Sequence, residues 1–523
     1  MRPTSGRLAA AGWRRLAAAA ALVVWPVAGG ADGPGDPHLT VVPRSAAEVA
    51  RIAAVLAPPA GFDAPERFEA LPAGAATVRV WPGADAFSQP SANLSFAGEM
   101  DFKLGNGLFR KLWISAPATT RASDGLGPLY NARACQACHI KDGRGHPPDG
   151  EGGAVSILLR LAVPAPDDAA VTALETYLAT LDGPQPRQRP DPVYGGQLQD
   201  LAVAGHPAEA RLAVDWTEQP VMLAGGEVVS LRRPVWSLAE PAFGPPAAGL
   251  AVSARIAPQM IGLGLLEAIP AAEIMALADP DDADGDGISG RANLVWSAEF
   301  GAPMLGRFGW KAGQPTLRQQ SAAAFSGDMG LSTPLFRDPW GDCTAAQDAC
   351  RAAPHGDGDA RGAEVDAAAL DLVAHYARNL AVPERRRPDA PEVLQGKAVF
   401  HAAGCAACHA PKHVTARLQG QEAQSFQLIW PYTDLLLHDM GPGLADGVTE
   451  GRAVGAEWRT PPLWGIGLTA QVGGQAAFLH DGRARSLLEA VLWHGGEAQA
   501  ARDRVVDLPP ADRAALIAFL ESL

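Results

Sequence analysis

Cysteine is scarce in this chain, with six residues in 523. Positive charge is in deficit too: 43 lysines and arginines against 57 acids give a net charge of −14, which argues against a nucleic-acid partner. Strand-like alternation is rare, and beyond the N-terminus no apolar run is long enough to cross a bilayer, so no transmembrane span is expected in the mature chain. What is present is 47% hydrophobic residues, over a length sufficient for two or more domains with sizeable cores. The N-terminus stands apart. Arg14 and Arg15 precede the apolar run Leu16 to Ala28, and small residues follow before Asp32, the pattern of a signal peptide over 1–31 cut near Ala31. A membrane anchor is the competing reading, and the run is short for one. Cleavage takes four arginines and no acids from the net charge and leaves −18. Export places the mature chain in the periplasm.

The few cysteines are not scattered. Cys135 and Cys138 open a C-x-x-C-H unit that ends at His139, and Cys405, Cys408 and His409 make a second. Two thiols one helical turn apart can each add to a vinyl group of one porphyrin, and the adjacent imidazole then falls under the iron. A redox dithiol does not need the following histidine in both copies, and zinc would need more cysteines than the chain supplies. Two haem c groups are the expected cofactors. Because haem c is attached after the unfolded chain has crossed the membrane, the general secretory route fits better than the twin-arginine route that Arg14-Arg15 hints at. The remaining pair, Cys343 and Cys350, is expected to close a small disulfide loop in an oxidising compartment, with a redox-active pair as the rival.

Taken in order, Ser45 and Glu48 form a capping box for a helix to Leu56, with Val49, Ile52 and Leu56 on one face. A second helical pattern covers Ala169 to Leu181, and Pro220 to Leu231, centred on Gly225-Gly226, reads as a β-hairpin. The run Ile256 to Leu265, IAPQMIGLGL, matches Arg459 to Leu468, RTPPLWGIGL, a diverged internal repeat. Apolar stripes at Leu370, Val373, Ala377 and Leu380, and at Leu516, Phe519, Leu520 and Leu523, give each unit a closing helix. The fold class expected is mainly α: two cytochrome c-like haem domains, the first enlarged by insertions that include a small β-hairpin. The domains would be 32–385 and 393–523, joined by a charged, proline-rich linker at 386–392. Between the haem units, Asp282, Asp284 and Asp286 alternate before Gly287, as in a calcium loop. The twelfth position is Asn293 where an EF-hand has glutamate, and a solvated acidic turn is the alternative.

The run AFSQPSANLS at Ala86 to Ser95 and the stretch DGLGPLYNARACQACHIKDGRG around the first haem unit closely resemble the bacterial di-haem oxidoreductases often labelled thiol oxidoreductases. These are distant relatives of the di-haem cytochrome c peroxidases and of the haem enzyme that matures methylamine dehydrogenase. The resemblance implies calcium between the haem domains. It implies a distal glutamate, for which Glu267 is the candidate, although a cap or surface role suits that residue as well. Trp310 would lie between the haems, with plain core packing as the alternative. The HDG motif beginning at His480 places the second haem's axial ligand at His494, where the peroxidases carry methionine. Imidazole there should lower the potential. Met440, the only methionine after the second haem unit, is the rival ligand.

For the first haem no second ligand is evident. His146 follows His139 too closely, His206 has no motif around it, and Met329 is free either to ligate or to pack. An open position there would admit a small oxidant such as hydrogen peroxide, with electrons entering at the second haem from a small cytochrome or cupredoxin. The reading is therefore a peroxidase-like enzyme. A non-catalytic electron carrier or metal-uptake accessory protein and a di-haem oxygenase are the alternatives. The thiol label finds no support, since every cysteine pair is committed to haem or to a disulfide.

Overall fold

Two crossing helix pairs carry the two C-x-x-C-H units. A computed structural model describes residues 35–148, 156–356 and 362–523, so the expected signal peptide lies outside the described residues. In the first unit the helix Phe96–Phe109, capped by Ser95, packs on Ala367–Arg378, capped by Asp366. In the second, Pro391–Ala402 packs on Pro510–Ser522. Both crossings are made at a glycine. A Cβ on Gly105 would overlap the Leu372 carbonyl, and one on Gly396 the Ala515 carbonyl, so only glycine permits the approach. Four residues on, Phe109 lies 5.1 Å from Tyr376 and 6.2 Å from the His139 ring. Phe400 stands in the same relation to Phe519, at 5.2 Å, and to His409, at 6.3 Å. Both closing stripes expected from the sequence are buried.

The internal repeat forms the contact between the two units. Gly262 and Gly465 both adopt φ near 70°, and each packs against the residue preceding the other: Gly262 on Trp464, Gly465 on Ile261. Around them Phe87, Leu265 and Leu468 fill a common core. Another buried cluster runs from Ile157 and Leu159 to Phe519 and Leu523, and Pro34–Leu523 forms a single unit by contact. The 386–392 stretch leads from the end of the first unit into the helix beginning at Pro391.

The mainly α expectation is overturned: 30% of the structure is helix and 17% strand, in several small sheets. The expected hairpin at Pro220 to Leu231 is only the tip of an antiparallel ribbon, Arg211–Met222 on Val228–Ala239, 12 residues in each strand. Its Leu212, Trp236 and Leu238 pack onto the core, and period-two alternation runs through Val228–Ala239 well past the turn. The ribbon clasps the C-terminal unit through Arg232 to the Gly482 and Arg483 carbonyls and through an Arg513–Glu227 ion pair. A second sheet orders Ile157–Pro164 between Gln188–Arg189 and Ala251–Ile256.

The capping box at Ser45 and Glu48 is present, but of the expected face Ile52 is buried and Val49 exposed. The second helix starts later than expected, at Ala173, because Thr172 and Glu175 form its capping box. Among the described residues no helix is long and apolar enough to cross a membrane.

Candidate functional site

Each C-x-x-C-H unit opens onto its own cavity. Cys135–Cys138 is a single helical turn, and the following His139 donates from Nδ1 to the Pro258 carbonyl at 2.9 Å. His409 donates from Nδ1 to the Tyr432 carbonyl, also at 2.9 Å. Both rings are thereby fixed as the tautomer whose Nε2 offers a lone pair to a metal. Burial, with the carbonyls opposing it, pushes each imidazole down to about 4 and keeps it neutral. Burial also pushes the Cys135 and Cys405 thiols up to about 12, so neither is a ready thiolate for disulfide exchange.

The first cavity, about 480 Å³, is lined by Cys138, His139, Arg160, Trp310, Ala324 and Asp328, with others. Among the described residues on its wall His139 is the only histidine, and there is no methionine. Met329, considered as a ligand, is core, packed with Phe102 and Phe325. The second cavity, about 310 Å³, is strongly apolar, and His409, His438, Met440, His480 and His494 line it. The histidines there are not equivalent. His438 is held between Asp434 at 2.9 Å and Glu497 at 2.7 Å, and His480 stacks on Trp458 at 3.7 Å. His494 donates from Nδ1 to the Ala490 carbonyl at 2.8 Å, the device that also fixes His139 and His409. Its proximity to His409 is felt electrostatically, and burial lowers its own pKa.

A further duplication explains the asymmetry. An antiparallel bridge joins Phe308 to Gln314 in the first unit and Phe478 to Ala484 in the second. Each is followed at the same spacing by a helix cap, Thr316 before Leu317–Met329 and Ser486 before Leu487–Leu492. Counting on from the caps, His494 corresponds to Ala324. The first unit thus has a methyl group at the position where the second has an imidazole.

A family model described as "Di-haem oxidoreductase, putative peroxidase" matches residues 69–523. The chain belongs to the di-haem oxidoreductase family. Membership implies two haem groups, and the two cavities fit them: each has paired thiols beside an oriented, neutral imidazole, and the second has an unpartnered buried cation, Arg144, on its wall. Among solved structures, a chain of Kuenenia stuttgartiensis hydrazine synthase pressurised with xenon is 15% identical, with a TM-score of 0.23, over 39% of this chain and 70% of that one. Likeness at that level carries no argument. No curated protein matches.

Within this di-haem oxidoreductase, Trp310 lines both cavities, anchored by its indole N–H to the Ile256 carbonyl at 2.8 Å. Glu267 departs from expectation. It lines neither cavity, and its carboxylate accepts from the Leu317 amide at 2.8 Å and from Arg378 at 2.9 Å. Burial favours its neutral form, but the Arg378 and His38 charges and the Leu317 amide outweigh that and hold it below the usual range. It is the cap of a helix and half of an ion pair.

The acidic loop also regroups: oxygens of Asp279, Asp282 and Asp284 lie within 4.8 Å of one another. Asp286 turns to the Ile288 amide at 2.9 Å. Asn293 lies apart, fully buried, with its amide donating to the Lys311 and Glu450 carbonyls and accepting from the Arg452 amide, so it cannot serve as the twelfth ligand. Cys343 and Cys350 form a disulfide. Sequence reasoning missed Arg144, His438, Ala324 and Asp328. The signal for Ala324 was available, in the parallel between FGWKAGQPT and FLHDGRARS.

Proposed function

We propose that this chain is an exported, peroxidase-like di-haem c oxidoreductase, taking electrons at its second site and presenting an open first site to a small oxidant such as hydrogen peroxide. Haem c, held through Cys135 and Cys138 and through Cys405 and Cys408, supplies one-electron chemistry and, at a free coordination position, reduction of the oxidant. The observation that carries the reading is the replacement of His494 by Ala324 at equivalent positions. His139 would be the only protein ligand at the first site, while His409 and His494 ligate at the second, in preference to Met440.

Proton supply at the first site falls to a residue other than Glu267. Asp328 and Glu450 are the carboxyls on that wall among the described residues. Glu450 is tied to Arg255 at 2.7 Å. Asp328 is raised by burial, with the Gln197 hydrogen bond only partly opposing, so it holds a proton at higher pH than an ordinary aspartate. Trp310, shared by both walls, is positioned to carry electrons between the sites. The net charge, −18 once four arginines leave with the expected signal peptide, suits a basic donor, a small cytochrome or cupredoxin. Periplasmic placement is supported by the N-terminal segment and the Cys343–Cys350 disulfide. Calcium at Asp279, Asp282 and Asp284 is supported by their convergence.

Electron paramagnetic resonance and optical spectra of the oxidised and half-reduced protein, with and without hydrogen peroxide, test the reading. A high-spin signal that peroxide removes is expected. Two low-spin haems indifferent to peroxide in both redox states would make the protein an electron carrier.

A further inference from the structure

Arg144 follows shortly after His139, the ligand of the first site, yet it lines the second cavity and not the first. It is 5% exposed, and its Nε and Nη1 have no hydrogen-bond partner. A guanidinium taken out of water and left unpaired is strongly unfavourable, so its place in the fold asks for an anion. Arg459 is also buried on the same wall, and its bonds go to carbonyls, from Nε to Gly309 and from Nη1 to Thr460, both at 3.0 Å. Among the described residues neither guanidinium has a carboxylate within 4.0 Å. The two are neighbours: Arg144 is pushed down to about 10 by burial, and Arg459 to about 10 by burial and then by the charge of Arg144. Trp310 lies under Arg144, 5.5 Å from ring centre to guanidinium carbon. The remaining wall is largely apolar, with Phe400, Leu444, Leu463 and Leu516. Two cations on an apolar wall match a flat hydrophobic ligand that carries two carboxylates, and a porphyrin with its two propionates has that chemistry.

We propose that Arg144 and Arg459 bind the propionate carboxylates of the haem in the second cavity, so that the segment holding the first site's ligand also sets the potential of the second. This rests on the di-haem c reading. The test is spectroelectrochemical titration of the full-length holoprotein and its Arg144→Leu variant, with covalent haem counted by pyridine haemochrome. Loss of a cation that stabilises the more negative, reduced form should lower the second midpoint and leave the first unchanged. Arg459→Leu should shift it the same way and by less, because that guanidinium is also held by carbonyls, and Arg144→Lys should stay near the wild-type value. Resonance Raman gives a readout that does not depend on the leucine variants: the propionate-bending band should move in Arg144→Lys. An unchanged second midpoint in Arg144→Leu with both haems attached, or equal shifts of both haems, overturns the assignment. Loss of haem in the leucine and lysine variants alike overturns it too, making Arg144 a folding residue. A wild-type protein without covalent haem at Cys405 and Cys408 would defeat the underlying reading instead, before any variant is made.

Discussion

The two cavities have the same supports and differently furnished walls. In both, a glycine-mediated helix crossing places a phenylalanine against the ligand histidine, and a backbone carbonyl fixes that histidine's Nδ1. His494 lines the second cavity, whereas the equivalent position on the wall of the first is Ala324. The surroundings diverge as well. The second cavity carries the closed ionic group Asp434–His438–Glu497, and the first carries Asp328, buried and inclined to stay protonated. Duplication therefore preserves the C-x-x-C-H supports, and a few side chains at equivalent positions make the two walls differ.

Exchanging those side chains should break the comparison outright. Ala324→His is expected to give the first site a second imidazole, turn its high-spin spectrum low-spin and abolish peroxide reduction. His494→Ala should do the reverse at the second site, creating a second high-spin haem, while Met440→Leu leaves the spectrum as it was. At the first site Asp328→Asn should slow peroxide turnover by roughly 10²–10⁴-fold in steady-state assays, the range of a lost acid–base group, and Glu267→Gln should act on melting temperature rather than on proton transfer.

The shared scaffold is tested by Gly105→Ala and Gly396→Ala, each expected to cost about 1–3 kcal/mol in denaturant unfolding through overpacking of a helix crossing. The smallest effect is a pH dependence confined to the second site. Burial opposes the charge on His438, but its hydrogen bonds to Asp434, the Cys408 sulfur and Glu497 outweigh burial and raise its pKa far above the usual imidazole range. Stability from such a raised group is complete below the unfolded pKa of about 6.5 and is lost as pH rises towards the folded value. The loss of stability in His438→Gln should therefore be larger at pH 6 than at pH 9.

Much of this was legible in the chain. Each C-x-x-C-H unit is contiguous in the chain, so it is legible locally. The closing helices announced themselves by apolar spacing, and the repeat at Ile256 and Arg459 by residue identity. The surroundings of Glu267 could not be read from the chain because a carboxylate's role depends on its partners, and Arg378 and the Leu317 amide come from distant elements. The burial of Asn293 was not legible because counting along a calcium loop assumes that the loop continues, whereas the chain turns inward to bond Lys311, Glu450 and Arg452. The ribbon was underestimated because much of each strand is exposed, and its apolar residues are covered only by elements distant in the chain.

By itself the sequence determined what is local: where the two C-x-x-C-H units lie, which histidine follows each thiol pair, and which helices close the units. Spacing along one or two turns fixes these whatever the rest of the chain does. Tertiary structure alone decided which side chains share each wall, that Trp310 belongs to both walls, and that Arg144 leaves the first site for the second. Those relations join residues far apart in the chain through packing and desolvation, and no local pattern encodes a distance across a cavity.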